Sequence, residues 1–196
     1  MKHLLLAATA FALASPAAAQ TNHQGMNHSM PMAAAGSLTA ADVGVAPLTG
    51  TTPTDYVRMA ADSDMYEMTS SKLALARSKN PAVRQYAQEM IRDHTTTTKA
   101  LKAGVKQSNS PKPATRLSTE KQALITQLRT SGNNFDQVYA QQQAQSHRQA
   151  WALHKGFATD GVDAPLRQVA TAAVPIIEQH IQHVRALPGA GAMTAM

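Results

Sequence analysis

PAVRQYAQEMIRDHTTTTKALKAGV, residues 81–105, decides the fold class. Val83, Ala87, Met90, His94, Leu101 and Val105 recur at steps of three, four or seven. A helix of period 3.6 gathers them on one stripe, and His94 falls on that same stripe. Asn80 and Pro81 open the segment, because proline suits a first helical position and disfavours helix in the residue before it. The run Thr95–Thr98 is poor helix material and softens the segment locally.

The same period continues on both sides. Upstream, a helix is expected from the cap candidate Thr54 to about Ser78, with Val57, Ala61, Met65, Met68 and Leu75 inward. Downstream, Pro111 and Pro113 mark a connection, and Ser118 caps a short helix whose capping box is imperfect because Lys121 stands where an acid belongs. After the break at Gly132–Asn134, Phe135 to about Ala158 carries Tyr139, Gln143, His147, Ala150 and His154 along one line, an unusually polar stripe. The last helix, about Ala164 to Leu187, has Leu166, Ala170, Ala173, Ile177, His180, Val184 and Leu187 at near-heptad spacing, with Pro175 expected to bend it. Four long helices and one short one make an all-α, four-helix bundle. The long connection between the second and fourth helical segments permits a ferritin-like crossover, and simple up-and-down winding also fits.

Lys2 and His3 precede an apolar run from Leu4 to Leu13, then Ser15, Pro16 and Ala17–Ala19, which reads as a cleaved signal peptide over residues 1–19. The run is too short to span a membrane. With no cysteine there is no disulfide framework. The expectation is an exported chain, in the periplasm first. Residues 20–53 carry one charged side chain, Asp42, and no periodicity, and read as a flexible tail. One domain is expected from Thr54 to Leu187, with 188–196 a disordered C-terminus. Net charge is +6, about +5 without Lys2. The basic stretch Lys99, Lys102, Lys106, Lys112 and Arg116 suits weak contact with anionic envelope components or plain solvation; few aromatics and no binding motif argue against nucleic acid.

Three histidines on three helices, His94, His147 and His180, point to one interior. With Glu67 from the first helix they form a mixed set suited to a mononuclear zinc, iron or manganese ion. Asp93, Asp136 or Gln143 is a candidate to accept from the second ring nitrogen of such a ligand. The competing reading has each imidazole as a core residue bonded to a neighbouring Thr, Tyr, Gln or Asp. His154, His183, Asp62 and Asp64 read as helix surface. A second candidate is the tail string His23, Met26, His28, Met30 and Met32, whose thioethers and imidazoles suit copper, again against a reading as a compositionally biased linker.

Catalytic motifs are missing. There is no Gly-x-Ser-x-Gly elbow, phosphate-binding glycine loop or His-Glu-x-x-His pair. Residues three before the histidines are Ile91, Ala144 and Ile177, so the Glu-x-x-His pairs of di-iron bundles are lacking and ferroxidase chemistry is disfavoured.

The Asn80-Pro81 break, Met90 with Arg92-Asp93-His94-Thr95, Phe135-Asp136-x-x-Tyr139, His147, and Pro175 ahead of His180 resemble the bacterial domain-of-unknown-function 4142 family (DUF4142) over roughly Asp55 to Leu187. The resemblance implies a ferritin-like helical bundle, usually exported, and brings no established activity. The reading is an exported binding or envelope-stress accessory protein rather than a turnover enzyme. Its rivals are a metal-dependent redox enzyme and a purely structural interaction module. Substrate, partner and oligomeric state are not legible.

Overall fold

The computed structural model describes residues 37–108 and 110–191, and every regular element among them is helical. A short α1 (Ala40–Val43) precedes α2 (Pro53–Arg77), α3 (Pro81–Gln107), α4 (Thr119–Thr130), α5 (Phe135–Asp160) and α6 (Ala164–Arg185), with a 3-10 turn at Gly132–Asn134. Local chemistry sets the boundaries. The Thr52 hydroxyl, rather than Thr54, caps α2 by accepting the Asp55 N–H at 3.1 Å, with Pro53 in the first turn. Asn80, Ser118 and Asp163 cap α3, α4 and α6 in the same way. Pro175 lies inside α6 without ending it.

The four long helices form a ring in which α2 packs on α3 and α5, and α6 packs on α3 and α5. All four neighbouring pairs are antiparallel. Tyr56 near the start of α2 stacks on Phe157 near the end of α5 at 4.1 Å, while Ser71 near the end of α2 meets Tyr139 near the start of α5 at 2.8 Å. Glu89 early in α3 reaches His183 late in α6. The short turns after α2 and α5 join antiparallel partners, so α3 and α5 run the same way. The connection between them must therefore travel the length of the bundle, and it does so with α4 laid against α2 and α5. This is the single long crossover of ferritin-like bundles, which excludes simple up-and-down winding.

Two apolar clusters occupy the ends of the bundle. One gathers Ala74, Val83, Tyr86, Met90, Phe135, Tyr139 and Val184, the other Tyr56, Val57, Leu101, Val105, Phe157 and Leu166. Between these positions along α2, α3 and α5 lie buried polar residues: Asp64, Glu67 and Ser70, then His94, then Gln143 and His147. A core of this size gains about 1.5–3 kcal/mol for each large apolar side chain it buries. A polar layer in its middle works against that gain unless every group is partnered.

Two expectations need correction. Residues 37–52, read as flexible tail, are built onto the bundle. Thr39 and Asp42 close a capping box on α1, Val43 is buried with Trp151, Ile177 and Ile181, and the Leu48 N–H donates to the Ala152 carbonyl at 2.8 Å. Gly156 makes this possible, because a Cβ there would run into the Leu48 backbone. At the other end, Leu187 and Ala190 are buried in the first apolar cluster, so the packed domain extends past residue 187. In both places a few anchored residues do what a helical stripe does elsewhere, and such anchors leave no period to detect. The expected signal peptide and the Met/His string His23, Met26, His28, Met30 and Met32 lie outside the described residues.

Candidate metal centre

His94 from α3, His147 from α5 and His180 from α6 converge in the polar layer, one ring nitrogen of each lying within 4.8 Å of the others. All three are buried, with at most 3% of the surface exposed. Their outward nitrogens are already engaged. His147 Nδ1 faces the Gln143 backbone carbonyl at 2.9 Å, His94 Nδ1 faces Asp64 Oδ1 at 2.8 Å, and His180 Nε2 faces Asp93 Oδ2 at 3.1 Å. Carbonyl and carboxylate oxygens accept, so each of these ring nitrogens carries the hydrogen and donates.

The tautomers follow from those partners. In the neutral rings, His94 Nε2, His147 Nε2 and His180 Nδ1 present lone pairs. His147 Nε2 and His180 Nδ1 stand 3.2 Å apart, two acceptors facing each other with no proton left to share. Burial pushes the His180 pKa down to about 3, against the pull of Asp93, and burial likewise holds His147 below its ordinary value, so an extra proton is not the resolution. His94 behaves differently: burial opposes its charge, but the Asp64 carboxylate, with Glu67 and Asp93, outweighs that and raises the pKa. Two nitrogens bound tetrahedrally to one ion, each near 2.0 Å from it, lie about 3.3 Å apart, close to the observed pair.

Glu67 stands apart from the group of three whose ligating atoms share the 4.8 Å range. It is nonetheless 1% exposed, and its negative charge acts on both His94 and His147. Among the described residues the buried side-chain atoms without a hydrogen-bond partner are Glu67 Oε1 and Oε2, His94 Nε2 and Gln143 Oε1. All four belong to this layer. A buried acceptor with no donor costs about 1–3 kcal/mol, so their concentration in one place marks a site rather than a packing accident.

The supporting residues were only partly foreseen. Asp93 supports His180, as expected, and Gln143 supports His147 through its backbone carbonyl instead of its amide. Asp136 supports none of the three. Asp64, read as helix surface, is the partner of His94 and is buried; it also accepts from Thr97 Oγ1 at 2.8 Å and Thr98 Oγ1 at 2.9 Å. Half of the threonine run that weakens α3 thus holds Asp64 in place. A signal for Asp64 exists: heptad steps from Val57 pass through residue 64 to Ser71, both buried. Met65 and Met68, expected inside, are only half buried. His154 is also a correction. It is buried against Tyr56, whose hydroxyl lies 3.1 Å from its Nδ1, while His183 faces solvent as expected.

This layer gives the metal-free protein a pH signature. Burial lowers His154 to about 4 and His180 to about 3 from an ordinary 6.5. In the unfolded chain both take up protons below pH 6.5, whereas in the folded chain they do not until pH 4 to 3. Their contribution to stability is therefore complete above 6.5 and is lost as pH falls through that window, by about 1.4 kcal/mol per pH unit for each proton taken up. His94 works in the opposite sense and in a different window, its contribution being complete below 6.5 and lost as pH rises from there through its raised value, so it leaves the fall between pH 6.5 and 4 unchanged. Urea denaturation of chelator-treated protein at pH 7, 6, 5 and 4 should show stability falling; a flat or rising profile contradicts the buried neutral histidines.

A crossover bundle with a histidine-lined polar layer at its middle defines the class of protein. The chain belongs to the DUF4142 family, described as a domain of unknown function, whose model matches residues 37–187. The match begins where the bound N-terminal segment begins. No curated protein and no solved structure matches the chain. No helix among the described residues is long and apolar enough to cross a membrane.

Proposed function

We propose that this is an exported metal-binding protein whose interior holds one transition-metal ion on His94 Nε2, His147 Nε2 and His180 Nδ1, with Glu67 as the carboxylate beside them. The observation that carries the reading is the set of three inward nitrogens, each with its other ring nitrogen already donating to an oxygen. That is how proteins orient metal-binding imidazoles. An ion also supplies what the layer lacks, a positive charge near the unpartnered Glu67 carboxylate and a partner for the facing lone pairs. Three imidazoles with a carboxylate suit zinc, iron or manganese. The burial of all three ligands favours a closed binding site over a turnover centre, which needs an open coordination position and a path for substrate.

The test is titration of chelator-treated chain with Zn(II) or Co(II), beside a His94→Ala, His147→Ala double variant. The wild type should gain one ion that the variant lacks and, at a thousand-fold excess over Kd, gain about 4 kcal/mol of stability. Binding should weaken as pH falls, since an ion must displace the proton that Asp64 favours on His94. Equal uptake by both proteins defeats the reading.

A further inference from the structure

His180 has two faces, and only one looks inward. On its outer side, Glu89 and Asp93 from α3 meet His180 and His183 from α6. Glu89 and Asp93 are four apart, and His180 and His183 three apart, so each pair shares a helix face where the two antiparallel helices touch. One ligating atom from each of Glu89, Asp93 and His180 lies within 4.8 Å of the others. His183 lies outside that group of three but reaches Glu89, its Nδ1 at 2.9 and 3.0 Å from the two carboxylate oxygens. Gln179 Nε2 donates to Glu89 at 3.3 Å, and Arg92 Nε donates to Asp93 Oδ1 at 2.9 Å from a largely exposed position that lets it turn away.

We infer that Glu89, Asp93, His180 and His183 form a second, outer site for a divalent transition cation, sharing His180 with the interior centre. Two imidazoles and two carboxylates from two helices are more than an acidic patch, and nitrogen with oxygen donors favours zinc, iron or manganese over calcium or magnesium. The interior fixes which face of His180 is available to the outer group. His180, which has no exposed surface, turns its Nδ1 to His147 Nε2 at 3.2 Å in the interior, and its Nε2 to Asp93 at 3.1 Å. Its Nε2 is consequently the nitrogen left for the outer group. Unlike the interior ligands, the outer ones reach solvent: Asp93 is 22% and His183 46% exposed at the side chain. When both sites fill, the Nε2 proton of His180 leaves to solvent and the ring bridges the two ions as imidazolate.

The shared ligand rests on the proposed interior centre; occupancy of the outer group does not. The test counts ions bound by chelator-treated full-length chain in Co(II) and Zn(II) titrations. It compares wild type with Glu89→Gln, His183→Ala and, separately, with His94→Ala, His147→Ala. The first variant should bind one ion fewer than wild type and keep the interior ion, and the second should lose the interior ion and keep the outer one. The outer site is overturned if Glu89→Gln, His183→Ala binds as many ions as wild type. If that variant loses one ion while His94→Ala, His147→Ala loses none, the outer site stands and the interior centre falls. Circular dichroism of each variant separates ligand loss from unfolding.

Discussion

Replacing Glu67 by methionine is expected to make the metal-free protein more stable and the metal-loaded protein less so. Both carboxylate oxygens of Glu67 are buried without a donor, while Tyr66, Tyr86 and Tyr139 all feel its charge. An apolar side chain of similar length removes that unmet demand. Buried ionic groups exchanged for well-packed apolar ones commonly yield about 1–4 kcal/mol, and a gain in the lower half of that range is expected here. With an ion on the three histidines the sign reverses, because the carboxylate then balances charge and its loss should weaken binding on the order of ten- to a hundred-fold. Denaturant curves with and without chelator read both halves. Destabilisation in both states would mean that Glu67 is held by packing alone.

Asp64→Asn carries the second large effect. Asp64 holds His94 in the tautomer that turns Nε2 inward, and is itself held by the Thr97 and Thr98 hydroxyls. Asparagine keeps the shape and one carbonyl acceptor but drops the charge, so the fold should survive. Metal affinity should fall on the order of ten- to a hundred-fold, the usual consequence of losing the group behind a metal-binding imidazole. The raised pKa of His94, which leans on Asp64 more than on any other neighbour, should fall as well, visible by NMR as an imidazole titrating at lower pH than in the wild type. Affinity equal to wild type would detach Asp64 from the centre.

The architecture was legible because α3, α5 and α6 place apolar residues at helical spacing and breakers fall between them: Asn80-Pro81, Gly132 to Asn134, and Pro165. The inward position of His94, His147 and His180 followed from the same stripes. What a one-dimensional period cannot carry is the side of a helix on which a polar residue finds a partner. Asp64 and His154 look like surface residues until Thr97, Thr98 and Tyr56 are brought beside them by neighbouring helices. The crossover was ambiguous for a related reason, since loop length permits a traverse along the bundle but does not require one. Residues 37–52 escaped because Val43 and Leu48 bind through single anchors on α5 and α6 rather than through a repeating face.

The measurement that bears most directly on the interior centre is elemental analysis of the chain purified from its native cells without a metal-affinity tag, beside the His94→Ala, His147→Ala variant prepared identically. A transition metal at one equivalent per chain or more, with one equivalent missing from the variant, is the predicted result. Equal metal content in the two proteins, or none in either, would contradict the account and leave the histidine layer a structural feature of the bundle.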